Sequence, residues 1–286
     1  MTEGGPASTG AAACDRAALT FIGTATTLLR FGPFTLLTDP NFVRRGQRVG
    51  LGYGLWSKRL TQPAARVDDL PDLDAVLLSH LHGDHFDRVA RRRLPRSVPV
   101  LTTPQAAARL QRWGFGDTLA MRPWQSTTLR RDGHGLRITS VPGTHGPGVV
   151  GRVLMPQVMG SVLEWYRPDE APPLRVYITG DVLYRQELTA VVDRFGDLDA
   201  MVAHLGGTRI LGLLLTMDAR QGADLVELLR PRLTVPVHYD DYPVFRSPLR
   251  DFLAEAARRG LPGEIRPVPR GARLVLPSFA GSPSGD

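Results

Sequence analysis

The sequence predicts an α/β sandwich, in which β-sheets are covered by outer helices. Strand-like runs outnumber helical segments, and the two kinds of segment are interspersed along the chain. Of the 286 residues, 42% are hydrophobic and 22% are charged, as in an ordinary globular protein with a sizeable core. We expect one domain over residues 18–277, a disordered tail at 1–17 and a short C-terminal tail at 278–286.

The first predicted element is a β-hairpin. Two β-rich runs, 19–30 and 34–38, flank a turn that contains Gly32 and Pro33. The segment 41–66 is rich in glycine and arginine and has no clear period, so it is predicted to be a long loop, a kind of segment that is often functional. Next come a buried strand at 73–79, a helix at 86–94, a strand at 98–103 and a helix at 104–114.

The second half of the chain continues the alternation. The predicted strands are 136–143, 160–166, 175–181, 199–206, 233–240 and 272–277. The predicted helices are 188–196, 218–231 and 248–260. Thr216 or Asp218 would cap the helix at 218–231, which Pro231 ends.

Charge and cysteine content narrow the functional classes. The formal net charge is +7, but Lys58 is the only lysine and no long basic arm is present, so nucleic-acid binding is not expected. The single Cys14 excludes an internal disulfide, and the N-terminal segment lacks the pattern of a signal peptide. We expect a cytoplasmic protein without a transmembrane segment; peripheral membrane contact and the oligomeric state stay open.

A dense group of metal-ligand side chains, "HLHGDH", directly follows the strand at 73–79. In an extended segment, residues two apart point the same way, so His80 and His82 can bind one ion together. Gly83 permits a sharp turn, after which Asp84 and His85 point towards a second ion. Imidazole and carboxylate are the ligands that zinc and similar divalent ions take at about 2.0–2.2 Å.

Further candidate ligands follow other predicted strands. His145, Asp181 and His238 each lie at or near a strand end. A lone histidine is more often structural than a ligand, but three more ligand-type residues in the same context reinforce the metal prediction. Cys14 lies in the predicted tail, so no cysteine is available as a ligand in the body of the fold.

These motifs resemble the metallo-β-lactamase-fold hydrolases, which are four-layer αββα sandwiches with a dinuclear metal site. The resemblance covers residues 19–277 in the family's motif order. The segments "FIGTATTLLRFGPFTLLTDPNF" and "LPDLDAVLLSHLHGDHFD" look most similar to the branch that contains ascorbate-6-phosphate lactonases and N-acyl-phosphatidylethanolamine phospholipase D.

The resemblance implies a ligand set for two divalent ions, zinc first, with manganese or iron as alternatives. The first ion would be bound by His80, His82 and His145, the second by Asp84, His85 and His238, and Asp181 would bridge them. Asp39 resembles an aspartate that orients a ligand histidine through a hydrogen bond. An Asp-Pro pair that merely ends a strand is the equal alternative.

The implied activity is hydrolysis. Two bound ions would supply a hydroxide at neutral pH, and the resemblance implies that this hydroxide would attack a carbonyl carbon or a phosphorus. Asp84 would also orient the nucleophile or move a proton. The expected substrate is a small molecule, phosphate-containing or lipid-like, with a phosphodiester or a lactone or other ester bond. A catalytically silent protein that binds a metal or ligand is the alternative, and the complete ligand set favours the enzyme.

Other residues are candidates for the substrate pocket. His204 follows a strand and would contact substrate or carry a proton, with a structural histidine as the equal alternative. Arg59, like other arginines of the segment 41–66, could pair with a phosphate, although a solvated basic loop is slightly favoured. Asp241 and Tyr242 follow the last ligand and would rim the pocket.

Overall fold

The computed structural model describes residues 16–52, 54–148, 151, 155–169 and 171–277. Cys14, most of the predicted N-terminal tail and the predicted tail at 278–286 lie outside these ranges. The predicted N-terminal tail is slightly too long, because Ala17 is already the buried first residue of a strand. No helix within the described ranges is long and apolar enough to cross a bilayer.

Strands make up most of the regular structure. In chain order they are β1 (Ala17–Gly23), β2 (Thr26–Phe31), β3 (Phe34–Thr38), β4 (Arg48–Gly52), β5 (Leu55–Lys58), β6 (Ala75–Leu78), β7 (Val100–Thr102), β8 (Thr118–Ala120), β9 (Ser126–Arg131), β10 (His134–Pro142), β11 (Met159–Tyr166), β12 (Leu174–Ile178), β13 (Ala200–His204), β14 (Arg209–Ile210), β15 (Leu213–Leu214), β16 (Leu233–Val237), β17 (Glu264–Ile265) and β18 (Arg273–Val275). The α-helices whose bounds the structure describes are α1 (Arg88–Arg93), α2 (Pro104–Arg112), α3 (Ala190–Phe195), α4 (Ala219–Leu229) and α5 (Leu249–Arg259). Single 3₁₀ turns occur at Val67–Asp69 and Gln186–Thr189.

Fourteen of these strands form two seven-stranded sheets, and the pairs β4–β5 and β14–β15 form two small two-stranded sheets. The first sheet has the order β18-β1-β2-β3-β6-β7-β8, and the second has the order β17-β16-β13-β12-β11-β10-β9. In the first sheet β3, β6, β7 and β8 are parallel neighbours. In the second, β12, β13, β16 and β17 are parallel, while β9 to β12 form an antiparallel meander. Each sheet is therefore mixed, and its parallel strands are connected through α-helices except for β3 and β6, which the segment with the β4–β5 hairpin connects.

Three apolar clusters show how the layers pack. Leu36 and Leu77 of the first sheet and Ile138 and Val202 of the second belong to one buried cluster, so the sheets face each other. A second cluster joins the outer face of the second sheet to α3, α4 and α5, and a third joins the outer face of the first sheet to α1 and α2. The predicted four-layer αββα sandwich is confirmed.

The burial and the capping of helix α4 agree with the sequence pattern that predicts this helix. In α4 the buried positions Gly222, Leu225, Val226 and Leu229 recur at helical spacing and face the second sheet. Asp218 caps this helix, because its side chain accepts a hydrogen bond from the backbone N–H of Gln221. Of the two predicted caps, the aspartate is therefore the one used.

Two predictions for the N-terminal part are wrong in detail. The predicted strand at 19–30 is two antiparallel strands, β1 and β2, because the chain reverses at Thr24, whose φ is 55°. The predicted loop at 41–66 contains the β4–β5 hairpin, paired from Arg48 opposite Lys58 to Gly52 opposite Leu55. The glycines of the β4–β5 hairpin interrupt the alternation of apolar and polar residues by which a strand is recognised. The positive φ of Thr24 could not be predicted, because no sequence pattern marks a threonine in the left-handed backbone region.

Candidate metal centre

The candidate site residues lie at the carboxyl ends of strands, and strand direction explains why they meet. Asp39 follows β3 and the turn at 80–85 follows β6, a parallel neighbour. The residues His145, Asp181 and His238 follow β10, β12 and β16, and β12 and β16 run in the same direction. Strand β10 also runs in that direction, because both β10 and β12 are antiparallel to β11. Their ends therefore share one edge of the second sheet.

Backbone contacts hold the corresponding edges of the two sheets together. The N–H of Met159, at the start of β11, donates to the carbonyl of Ser79 at 3.0 Å. The N–H of His238 donates to the carbonyl of Thr24 at 2.7 Å. These bonds join the turn after β6 and the turn after β1 to the second sheet, so the candidate ligands of both sheets are brought to one place.

The first donor group consists of His80, His82 and His145, whose ligand nitrogens lie within 4.8 Å of one another. His80 Nε2 and His82 Nδ1 are 3.0 Å apart. The ring of His145 lies 5.0 Å from that of His80 and 5.2 Å from that of His82, measured between centroids. The structure thus brings together the three histidines that the sequence assigns to one ion.

The second donor group consists of Asp84, His85, Asp181 and His238, with the same 4.8 Å limit. His85 Nε2 lies 3.2 Å from Asp181 Oδ2 and 3.2 Å from His238 Nε2. His238 Nε2 lies 3.5 Å from Asp84 Oδ2 and 3.6 Å from Asp181 Oδ2. Nitrogen and carboxylate donors from three separate strand ends therefore face one point.

Backbone carbonyls fix the orientation of two of these histidines. His145 Nδ1 lies 3.0 Å from the carbonyl oxygen of Leu215, and His238 Nδ1 lies 3.1 Å from that of Leu205. A carbonyl only accepts hydrogen bonds, so each Nδ1 carries the proton and donates it. Each Nε2 is then left with its lone pair directed into the donor group, which is the arrangement that metal-binding histidines have.

The carboxylate of Asp39 fixes the orientation of His85 in the same way. Its Oδ1 accepts a hydrogen bond from the backbone N–H of Ser79 at 2.7 Å, and its Oδ2 lies 3.2 Å from His85 Nδ1. A proton on that Nδ1 leaves His85 Nε2 free towards the second donor group. Asp39 therefore contacts the Nδ1 side of the candidate ligand His85, which is the orienting position that the resemblance implies. It does more than end strand β3.

The donor chemistry fits bound divalent ions. Asp84 Oδ1 and Asp181 Oδ1 are buried and have no hydrogen-bond partner among the described residues. An orphaned buried carboxylate oxygen is costly unless a cation takes the place of the missing donor. Two bonds of 2.0–2.1 Å at a tetrahedral angle put ligand atoms about 3.3 Å apart, and most of the donor separations above are close to that spacing.

Burial and mutual charges shift the pKa values in the site. Burial, followed by the neighbouring His145, lowers the pKa of His82 to about 4. Burial likewise brings the pKa of His80 well below its usual value, with His85 and His82 adding to the effect. Neutral imidazole, the form that binds metal, is therefore the favoured form in the first donor group.

The second donor group has the opposite electrostatics. Burial opposes the charged form of His85, but the Asp181 and Asp39 carboxylates outweigh it and raise the pKa of His85 well above the ordinary value. Burial raises the pKa of Asp181, but His238 and His85 hold it well below the usual range. The carboxylates of the second donor group therefore stabilise positive charge next to them. A bound divalent cation supplies this charge in place of a proton on histidine.

Two of the site residues have an uncommon backbone conformation. Asp39 has a φ of 36° and His238 a φ of 62°, both in the left-handed region that side chains other than glycine rarely adopt. Such conformations cost of order 1–3 kcal/mol and persist where surrounding contacts impose them. Here they turn each side chain out of its strand and into the site.

The β4–β5 hairpin packs against the ligand turn. The N–H of Gly83 donates to the carbonyl of Gly50 at 3.0 Å, and a Cβ on Gly83 would lie 2.5 Å from that oxygen. Only glycine permits this close approach. Of the candidate ligands, His82 alone is partly exposed and the others are buried, so the site opens to solvent beside His82.

The predicted substrate contacts of Arg59, Asp241 and Tyr242 need correction, because all three are buried in a structural network. Arg59 Nη2 pairs with Asp241 Oδ1 at 3.1 Å, and its Nη1 donates to Asn41 Oδ1 at 2.6 Å. The hydroxyl of Tyr242 donates to the same Asn41 oxygen at 2.9 Å. Asn41 Nδ2 in turn donates to the carbonyl of Gly83 at 3.0 Å, so the network braces the ligand turn instead of lining an opening.

Asn41 is the positioning residue that sequence reasoning missed. It stands one residue after the Asp-Pro pair, in a segment without periodicity, and nothing in its neighbourhood marks it. Its partners Arg59, Gly83 and Tyr242 lie far along the chain. Only the folded contacts identify it.

His204 also differs from its prediction as a substrate contact. It is fully buried, its Nδ1 lies 3.2 Å from the Thr179 hydroxyl, and its Nε2 lies 3.4 Å from Asp39 Oδ2. Its ring stacks 6.1 Å from that of His85. His204 therefore contacts the aspartate that orients His85, and the alternative role as a proton carrier stays a prediction.

The fold and the clustered strand ends define the class of protein: an α/β sandwich of two sheets whose histidine-rich edge can bind metal. A family model described as "Beta-lactamase superfamily domain" matches residues 35–239, well over half of the chain. The chain belongs to this family, and its predicted metallo-β-lactamase fold is confirmed.

Proteins that are named as hydrolases are similar to this chain in sequence or in fold. A UPF0173 metal-dependent hydrolase from Pyrococcus horikoshii is 26% identical over 192 residues, which cover 67% of this chain and 77% of that protein. An isothiocyanate hydrolase from Delia radicum gut bacteria has a TM-score of 0.77 at 20% identity and covers 91% of this chain and 100% of its own. A possible metal-dependent hydrolase from Veillonella parvula has a TM-score of 0.76 at 22% identity, with coverages of 91% and 100%.

Proposed function

We propose that this chain is a metal-dependent hydrolase that binds two divalent ions. One observation carries the proposal: two adjoining donor groups of histidine and aspartate, with buried carboxylate oxygens that have no protein donor among the described residues. His80, His82 and His145 would bind one ion and Asp84, His85 and His238 the other, with Asp181 shared. Zinc suits this nitrogen and oxygen set, and manganese or iron are the alternatives.

Bound at these positions, two divalent ions supply Lewis acidity and lower the pKa of a water molecule towards neutrality. The chain contributes preorganisation. Leu215 and Leu205 hold the rings of His145 and His238 through backbone carbonyls, and Asp39 holds His85. Because these bonds are made before substrate binds, little reorganisation is left for the reaction itself.

Asp84 has a second role in the proposal. Its Oδ2 faces His238 at 3.5 Å, while its Oδ1 is buried without a protein donor. The carboxylate can therefore bind an ion with one oxygen and accept a proton from the nucleophilic water with the other. The hydroxyl of Thr216 donates to Asp181 Oδ2 at 3.4 Å and fixes the other aspartate.

The proposed substrate is a small molecule with a phosphodiester, lactone or related ester bond. The metal-dependent hydrolases among the sequence relatives support the reaction class. The resemblance to ascorbate-6-phosphate lactonases and N-acyl-phosphatidylethanolamine phospholipase D suggests the two bond types. A cytoplasmic location and a single domain over residues 18–277 stay predictions.

A panel of chromogenic substrates tests the activity. Zinc-, manganese- and iron-loaded protein is assayed against bis-p-nitrophenyl phosphate, p-nitrophenyl esters and simple lactones. We expect turnover of at least one member, lost on chelation and restored by adding back the ion, because the proposed hydrolysis requires the bound ions. Two ions bound without turnover of any member would instead indicate the catalytically silent binding protein.

A further inference from the structure

A cavity of about 770 Å³ opens beside His82, the partly exposed candidate ligand. Its described walls are the β4–β5 hairpin, the turn around Gly83, the helices α1 and α2, and Met155 with Pro156. Trp56 on the hairpin and Trp113 at the end of α2 supply flat apolar surface. The volume is that of a pocket for a small organic molecule, with the candidate metal centre at its edge.

Arginine dominates the charge of this cavity. The arginines that line it are Arg48, Arg88, Arg91, Arg109 and Arg112. All of them are exposed, and within the described ranges none forms an ion pair with a carboxylate. Uncompensated positive charge of this density, in a concave surface, attracts and concentrates anions.

The acidic residue in the lining does not neutralise these arginines. Asp87 caps α1, and its side chain accepts hydrogen bonds from the backbone N–H groups of Val89 and Ala90 and from those of Phe42 and Val43. Its oxygens are thus turned into the protein and used there. The surface that faces the cavity stays strongly basic.

Two of the arginines are held in place by an aromatic ring. The guanidinium carbon of Arg91 lies 4.1 Å from the ring centroid of Trp113, and that of Arg109 lies 5.5 Å from it. Such stacking restricts long side chains that would otherwise be mobile. Trp56, 66% exposed, leaves a broad apolar face in the lining that a flat ligand could cover.

We propose that this cavity is the substrate pocket of the metal centre and that the substrate is an organic phosphate with a flat or aromatic group. The inference rests on the proposed hydrolase function and narrows it towards the phosphoester. Arginine forks match phosphate oxygens in geometry and charge, and the exposed ring of Trp56 covers the organic part. A neutral ester or lactone would leave the arginines without an anionic partner.

Binding of naphthylmethylphosphonate tests this pocket without requiring turnover, because its P–C bond resists hydrolysis. Calorimetry on the metal-loaded full chain compares the natural sequence with Arg91→Glu and Arg109→Glu, each of which turns an attractive contact into a repulsive one. We expect about tenfold weaker binding in both variants. The matched control is Arg92→Glu, an exposed neighbour on α1 that does not line the cavity, and its affinity should stay within about twofold.

Two further probes separate the parts of the proposal. Naphthylmethanol, which lacks the charge, and methylphosphonate, which lacks the ring, should each bind at least about tenfold more weakly than naphthylmethylphosphonate. Equal affinity of the natural sequence, Arg91→Glu and Arg109→Glu for the phosphonate would overturn the pocket. Arginine-dependent binding without turnover of any substrate would instead reject the hydrolase and leave the anion site.

Discussion

Asp181→Asn is expected to lower kcat/KM by at least about a thousand-fold for any substrate that the metal-loaded protein turns over. Asp181 Oδ2 lies 3.2 Å from His85 Nε2 and 3.6 Å from His238 Nε2, at the centre of the second donor group. The amide keeps the shape of the side chain but removes the charge that the group supplies to a cation. Steady-state kinetics and the metal content of the same preparation measure the effect.

The matched control for this variant is Asp193→Asn. Asp193 is exposed on α3, and its substitution removes the same formal charge far from the donor groups. The control should retain full activity and metal content. An Asp181→Asn protein with kcat/KM within about tenfold of the natural sequence would show that Asp181 has no ligand role.

Arg59→Met is expected to reduce the free energy of unfolding by about 3 kcal/mol. Arg59 and Asp241 are both fully buried, and burial of Asp241 is tolerated because Arg270 and Arg59 together hold the pKa of its carboxyl below the usual value. Methionine fills the space of the arginine but leaves Asp241 with Arg270, at 2.9 Å, as its one charged partner among the described residues. Urea unfolding of the metal-loaded protein measures the loss.

Arg44→Met is the control for the arginine network. Arg44 lies in the same segment, is exposed, and forms no ion pair among the described residues, so its loss should cost less than about 0.5 kcal/mol. If Arg59→Met costs under about 1 kcal/mol, the network does not brace the ligand turn. A large cost should be accompanied by weaker metal binding, because Asn41 connects Arg59 to Gly83.

One sequence feature, an apolar run followed by polar ligand-type residues, predicts both the layers of the fold and the candidate ligands. Apolar runs mark where buried strands end, and polar ligand-type residues directly after them must lie at a sheet edge. His80 to His85 follow β6, and Asp181 follows β12 within three residues. Parallel strand order then brings them together without any information on side-chain packing.

The supporting network could not be predicted in this way. Arg59 is separated from Asp241 by 182 positions, and Asn41 from Tyr242 by 201. A buried ion pair between such distant positions has no local pattern, and an arginine in a glycine-rich segment reads as a solvated loop residue. The β4–β5 hairpin was not predicted for a related reason, because its packing on Gly83 depends on a contact between residues distant in the sequence.

The functional meaning of the many arginines could also be inferred only from the structure. A formal net charge of +7 with almost no lysine fits a compositional bias as well as a functional one. The structure shows that arginines from β4, α1 and α2 line one cavity beside His82. Spacing along the chain cannot reveal this, since these elements come from three separate segments.

Metal analysis of the purified full chain tests most directly whether each donor group binds an ion. The protein is loaded with Zn²⁺, freed of excess ion by gel filtration and measured by inductively coupled plasma mass spectrometry, beside a His82→Ala variant. We expect about two zinc ions per chain in the natural sequence, and about one in the variant, because only the first donor group loses a ligand. One ion or none in the fully loaded natural sequence would contradict the dinuclear centre.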